Sequence, residues 1–206
     1  HVDEERCTAC GLCRRVCPGH EIDFEALTPP AWRNNTFHPQ LGYCRRTYVG
    51  HALDPGLRID GASGGLVTAT LQHLLAAGSI DGAVVSRMRP DSPLEAEAFI
   101  ARSPEELVKA QKSIYAPVPL GSILTKLREF EGRAAVVGLP CHLAGLRKAM
   151  LELPWLEGRT GPLLGLFCSR TPTLNATLHI LDSRGIDRKE VAAIEYRGGG
   201  HPGRLK

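Results

Sequence analysis

The sequence predicts an α/β fold: a mixed sheet flanked by helices, preceded by a small ferredoxin-like iron–sulfur module. Three observations carry this prediction. From residue 48 onward, apolar runs of strand length alternate with segments of helical periodicity. Four of the seven cysteines fall close together near the N-terminus. Glycine (22) and proline (15) are plentiful, so tight turns punctuate the chain.

A chain of 206 residues is long enough for one large domain or two small ones and buries a full core without disulfides. The net charge of +3 is too small an excess to argue for a nucleic-acid partner. No stretch approaches the ~18 apolar residues of a membrane span, and no secretory segment opens the chain. The chain begins with His1 rather than Met and stops at Lys206 just after a glycine cluster, so it reads as a piece of a longer protein. The expected organisation is a 4Fe-4S segment over 1–28, a linker over 29–47, an α/β domain over 48–172 to which the family resemblance described below assigns flavin binding, and the start of a C-terminal part over 173–206.

Residues 19–47 carry Pro29, Pro30, Pro39, Asn34 and Asn35 with little periodicity, which predicts a surface linker. Gly61-Ala62-Ser63-Gly64-Gly65 opens a helix with Leu66, Val67, Thr70, Leu71, Leu74 and Leu75 at helical spacing and Gly78 as its stop. Residues 80–85 read as a buried strand and 95–101 as an alternating one. Ser103-Pro104-Glu105-Glu106 is a capping box with proline at the first helical position, starting a helix that runs to about Lys112. A helix over 123–130, a strand over 134–139 and a helix over 143–151 follow. A strand over 163–167, a helix over 175–184 and a strand over 191–196 complete the pattern.

Residues 7–18 carry the spacing C-x2-C-x2-C-x3-C-P, with Cys7, Cys10, Cys13 and Cys17 as ligands, the ferredoxin pattern for a 4Fe-4S cluster. Closely spaced thiolates on a tight loop wrap the corners of a cubane, and Gly11 lets backbone N–H groups approach it. A zinc site would pair two knuckles far apart, and only one region has such spacing. A disulfide framework wants an even count and a secreted chain. Cys44, Cys141 and Cys168 remain. Cys141 stands at the exit of one predicted strand and Cys168 ends the run of another, where open α/β sheets build their sites. With Cys17 and Cys44 they make a second set of four. The count permits one complete cluster plus spare thiols, or two clusters with one ligand from elsewhere. Seven thiols with this run predict a reducing, cytoplasmic setting.

Ser63, Gly64 and Gly65 at a helix start form a natural anion site, although a plain tight turn with an N-cap has the same composition. The loop from Tyr196 to Gly203 is a second segment able to lie against a ligand. His142 follows Cys141 and reads as a structural imidazole or as a proton relay.

Taken together, residues 7–18, 58–66, 80–85, 113–117, 138–146, 166–168 and 196–203 resemble the beta subunits of coenzyme F420 hydrogenases and dehydrogenases. Relatives of that family include formate dehydrogenase beta subunits and 7-hydroxymethyl chlorophyll a reductase. The resemblance implies FAD, one or two 4Fe-4S clusters, and electron exchange with coenzyme F420 or another two-electron carrier, alongside other redox subunits. It implies that Ser63, Gly64 and Gly65 cradle a cofactor phosphate, that Ser113 and Tyr115 line the isoalloxazine, and that Gly138 and Pro140 contact the cofactor. Cys141 and Cys168 are expected to join the N-terminal cysteines as metal ligands. The chain departs from the family pattern at Ile114, His142 and His201, where Lys, Gln and Trp are common. Besides an FAD and iron–sulfur oxidoreductase, an electron-transfer subunit without substrate chemistry and a zinc-stabilised binding module remain as expectations.

Overall fold

The computed structural model describes residues 3–201 and 203–206. A short helix α1 (Leu12–Val16) follows the first cysteines. Helices α2 (Phe24–Leu27) and α3 (Pro30–Arg33) and a hairpin of β1 (Thr36–His38) and β2 (Gly42–Cys44) then lie in the stretch expected to be irregular. The remaining order is α4 (Pro55–Asp60), α5 (Leu66–Ala76), β3 (Gly82–Met88), β4 (Ala96–Ala101), α6 (Pro104–Lys109), α7 (Ile123–Glu129), β5 (Ala134–Gly138), α8 (Pro140–Glu152), α9 (Pro154–Arg159), β6 (Thr160–Gly165) and α10 (Leu174–Ser183).

The main sheet has the order β4-β3-β5-β6. Strand β4 is antiparallel to β3, whereas β3–β5 and β5–β6 are parallel, so the sheet is mixed as the sequence predicts. Alternation along each strand divides the core in two. Val84, Ala98, Ala134 and Val136 face Ile123, Leu127, Leu146, Ala149 and Leu156 from α7, α8 and α9. Ala83, Val85, Ala101 and Ala135 face Leu71 of α5 and Leu107 of α6. Helices therefore cover both faces.

Several local devices act as the sequence predicts. Gly78 (φ 64°) follows α5, with Ser79 N–H donating to Leu74 C=O at 2.9 Å and Gly78 N–H to Leu75 C=O at 3.0 Å, the paired bonds of a Schellman stop. Ser103 accepts from Glu106 N–H at 3.3 Å, and Glu106 Oε2 accepts from Arg102 N–H at 2.6 Å. The helix ends at Lys109 rather than near Lys112, because Lys112 takes φ 78° and turns the chain away.

Three expectations are corrected. Residues 191–196 are not a strand; Glu195 exchanges backbone hydrogen bonds with Lys206, both at 3.0 Å, and Gly198 pairs with Arg204. This end of the chain therefore folds on itself instead of joining the sheet. Strand β6 starts at Thr160, three residues before the predicted run. Its register against β5 shifts between Ala134 and Val136, opposite Gly161 and Pro162. The sheet edge tolerates that proline, since its missing N–H interrupts no inner ladder. Helix α8 begins at Pro140, not at residue 143, so Cys141 lies in its first turn and not in a loop.

That early start has a physical cause. Pro140 suits the first helical position, where no N–H is needed. His142 Nδ1 then accepts from Leu139 N–H at 3.4 Å, holding the entry to the helix. Leu139 has no side-chain acceptor to reciprocate, so the cap is one-sided. Burial lowers the pKa of His142 below its ordinary 6.5, which favours the neutral ring that this bond requires. The structure thus gives His142 a structural bond.

Two predictions follow from this packing. Leu156, fully buried between α7, α8 and the sheet, should cost about 2–5 kcal/mol in denaturant unfolding when changed to alanine. Leu151→Ala, at a position 71% exposed, should stay within about 0.5 kcal/mol of wild type. The lowered pKa of His142 means that the unfolded chain binds more protons as pH drops through 6.5. Its stabilising contribution is full above that pH and is lost as pH falls toward the folded pKa. His142→Gln keeps an acceptor for Leu139 N–H but cannot titrate. Urea midpoints from pH 7.5 to 5 should therefore fall less steeply in the variant, and an unchanged slope would argue against the cap.

Candidate iron–sulfur and cofactor site

The N-terminal loop is shaped by two left-handed residues, Ala9 (φ 54°) and Gly11 (φ 72°), which flank Cys10. Gly11 is the N-cap of α1, and Cys17 closes it. The Leu12 N–H, then the Thr8 side chain, hydrogen-bond toward the Cys10 thiol and lower its pKa from the ordinary value. Inward N–H groups of this kind stabilise negative sulfur. Cys7, Cys10, Cys13 and Cys17 are all exposed, unpaired thiols. Among the described residues, no three His, Cys, Asp or Glu side chains converge closely enough to hold a metal ion. The donor set nevertheless fits a 4Fe-4S cluster by its chemistry: four thiols from one tight loop, with backbone donors beside the sulfur.

Helix α8 grips this loop through one face. Gly145, Lys148 and Glu152 recur at spacings of three and four. A Cβ on Gly145 would meet Pro18 Cδ at 3.1 Å and Val16 C=O at 3.5 Å, so the glycine permits close approach of the loop. Lys148 Nζ donates to Cys17 C=O at 3.1 Å and Glu21 C=O at 2.6 Å. Arg15 Nε and Nη2 donate to the two oxygens of Glu152 at 2.9 and 3.0 Å. Val16 packs against the core beneath. Sequence reasoning missed this set; its signal was a glycine and two charges recurring at helical spacing along one face of α8.

At the other end of α8 lies the C-terminal edge of the sheet. Gly138 is buried at the end of β5, and its carbonyl accepts from Leu166 N–H at 2.9 Å, extending the pairing with β6. Pro140 and Cys141 are exposed in the first turn of α8. Cys168 is also exposed, three residues beyond β6, with Thr171 Oγ1 at 4.0 Å from its sulfur. The two thiols thus follow neighbouring parallel strands. Cys44, at the end of β2, has contacts of 3.7 Å with Arg46 C=O and Thr47 Oγ1.

The glycine turn before α5 is held by the chain itself. A Cβ on Gly65 would strike Leu57 C=O, and one on Gly61 would lie 2.6 Å from Gly65 Cα. Gly64 (φ 72°) packs against His51, and its carbonyl accepts from Ala52 N–H at 2.7 Å. These glycines are thus required by backbone crossings and positive φ. Ser63 is exposed, and Gly65 caps α5 without a side-chain bond, so the first N–H groups of the helix have no side-chain cap.

Ser113 and Tyr115 belong to the turn after Lys112. Tyr115 meets Tyr196 edge to face at 5.7 Å, and Tyr196 Oη lies 2.7 Å from Thr177 Oγ1. Lys112 Nζ pairs with Glu195 at 3.2 Å, and Gln111 donates to Leu57 C=O at 3.2 Å. The structure therefore brings the 111–115 turn, α4 and the 195–196 segment together. Lys112, Tyr196 and Gln111 are linking residues that periodicity did not identify. The 196–203 loop is described apart from Pro202, which lies outside the described residues.

Comparison with known proteins matches this arrangement at the level of family. A 4Fe-4S binding domain model matches residues 1–20. The model for the N-terminal part of the coenzyme F420 hydrogenase/dehydrogenase beta subunit matches residues 47–125, and that for its C-terminal part matches 131–205. The coenzyme F420-dependent sulfite reductase of Methanocaldococcus jannaschii is 28% identical over 96% of this chain and 36% of its own length. An uncharacterised protein of the same organism is 31% identical over 69% of this chain and 51% of its own. The chain thus spans between about a third and a half of these two relatives. A chain from the F420-reducing [NiFe] hydrogenase complex of Methanosarcina barkeri shares the fold, with a TM-score of 0.62 and 24% identity over 75% of this chain and 57% of that one. No helix among the described residues is long and apolar enough to cross a membrane. With both parts of one redox family matched in order behind a ferredoxin-type segment, the chain belongs to the coenzyme F420 hydrogenase/dehydrogenase beta subunit family.

Proposed function

We propose that this chain is the iron–sulfur and FAD-bearing part of an oxidoreductase subunit that exchanges electrons with coenzyme F420 or a similar two-electron carrier. The observation that carries the reading is the gripping of the C-x2-C-x2-C-x3-C-P loop by α8, the helix whose first turn presents Cys141 at the sheet edge. When bound, FAD accepts a hydride as an electron pair and a 4Fe-4S cluster carries electrons singly. Cys7, Cys10, Cys13 and Cys17 would hold the cluster, and Cys141 and Cys168 are the candidate ligands at the edge. Ser63 and the uncapped N–H groups of α5 would hold a cofactor phosphate. Gly64 and Gly65 support that turn more than they line it. Ser113 and Tyr115 would flank the isoalloxazine, with Gly138 and Pro140 beside the cofactor at the end of β5. The coenzyme F420 dependence of the sulfite reductase relative supports F420 as the carrier, and the hydrogenase complex supports other redox subunits as partners. Seven unpaired thiols suit a reducing, cytoplasmic setting.

The test is the full-length protein purified without oxygen. It should contain iron, sulfide and FAD and should oxidise or reduce coenzyme F420; absence of both iron and flavin would defeat the proposal. Cys10→Ser should lower iron per chain while FAD is retained, because a hydroxyl is a poorer ligand for this soft site. Tyr115→Ala should weaken FAD binding several-fold to about tenfold, the scale of one aromatic contact, with iron content unchanged. Loss of iron instead of FAD in Tyr115→Ala would reverse the assignment.

A further inference from the structure

Arg15 bridges the cysteine loop and helix α8. Its Nη1 donates to Cys10 C=O at 2.9 Å, inside the cysteine loop, and sits 3.6 Å from where a Cβ on Gly11 would stand. Its other edge forms a two-pronged pair with Glu152, a residue 137 positions away on α8. One guanidinium therefore joins the cysteine loop to the helix, and a carboxylate stands directly behind it. Lys148, one turn earlier on α8, donates to Cys17 C=O at the other end of the loop. Arg14 points elsewhere, donating to His20 at 2.6 Å.

We propose that Arg15 and Glu152 act as opposed charges that set the reduction potential of a cluster held by Cys7, Cys10, Cys13 and Cys17. This inference rests on the reading of that loop as a 4Fe-4S site. Reduction adds one electron and therefore one negative charge to the cluster. A cation beside the loop stabilises the reduced form and raises the potential; an anion behind that cation offsets it. Removing each partner should therefore move the potential in opposite directions. A purely structural clasp, in contrast, would weaken in the same way whichever partner is removed. The side chains are 52% and 33% exposed, so added salt should diminish the effect.

The experiment is a potentiometric titration of the full-length, cluster-loaded protein with dithionite as electron donor, read by electron paramagnetic resonance. Melting temperature and iron content are measured in parallel. Arg15→Gln should lower the midpoint potential, Glu152→Gln should raise it, and the double variant should lie between them. Arg15→Lys keeps the charge but loses the fork, so its potential should stay closer to wild type than that of Arg15→Gln, even where its melting temperature falls. All shifts should shrink between 50 mM and 500 mM salt. Equal potentials in all variants, or a shift of the same sign for Arg15→Gln and Glu152→Gln, would overturn the proposal. Where Arg15→Gln fails to retain iron, Glu152→Gln decides: a raised potential supports the pairing and an unchanged or lowered one refutes it. A wild-type protein that takes up no iron and shows no signal on reduction would instead defeat the reading of the loop, before any variant is compared.

Discussion

The candidate site depends on one helix being held at both ends. The start of α8 is set by Pro140 and by the bond from Leu139 N–H to His142, directly after β5. Its inner face is fixed by Leu146 and Ala149 in the core. Its remaining face meets the cysteine loop at Gly145, Lys148 and Glu152. A helix rises about 1.5 Å per residue, so Cys141 stands about 6 to 16 Å along the axis from the three residues that meet the loop. Cys141 in the first turn and the loop along the later turns are thereby kept in a constant relation. The ion pair with Glu152 is partly exposed, which makes it a modest source of stability but a specific one. Val16, next to Arg15 in the chain, packs against the core and adds apolar burial beside the pair.

Much of the main domain was legible in the sequence because its strands are mostly apolar runs or alternate cleanly, as in β4. The strand over 134–139 and the helix over 123–130 are visible as periodicity, and β5 and α7 occupy nearly those bounds. Legibility failed where tertiary context outweighed local preference. Gly161 and Pro162 look like a turn, yet they lie in β6 because an edge strand can absorb a bulge. Val191 to Tyr196 looks like a strand, yet its backbone partner is the segment around Arg204 and Lys206. The short helices α2 and α3 have too few residues for a period to register.

The candidate site divides in the same way. Cysteine spacing is a one-dimensional signal, so the ferredoxin loop could be read directly. The glycines before α5 illustrate the opposite case. Their composition suggests a ligand, while Gly61 and Gly65 are explained by backbone passing over backbone at Leu57. Ser63 is exposed in that turn, and α5 starts without a side-chain cap. The linking residues Lys112, Gln111 and Tyr196 join segments far apart in the chain, and no local pattern marks such partners.

The clasp between Arg15 and Glu152 also bears on the order of biosynthesis. The two residues are separated by 137 positions. During translation the cysteine loop emerges long before the helix that will hold it. At about 5–20 residues per second, the interval is on the order of ten seconds. Over that period the loop stands on a tether without its docking face. The contacts of Gly145, Lys148 and Glu152 with the loop form only once α8 has been made.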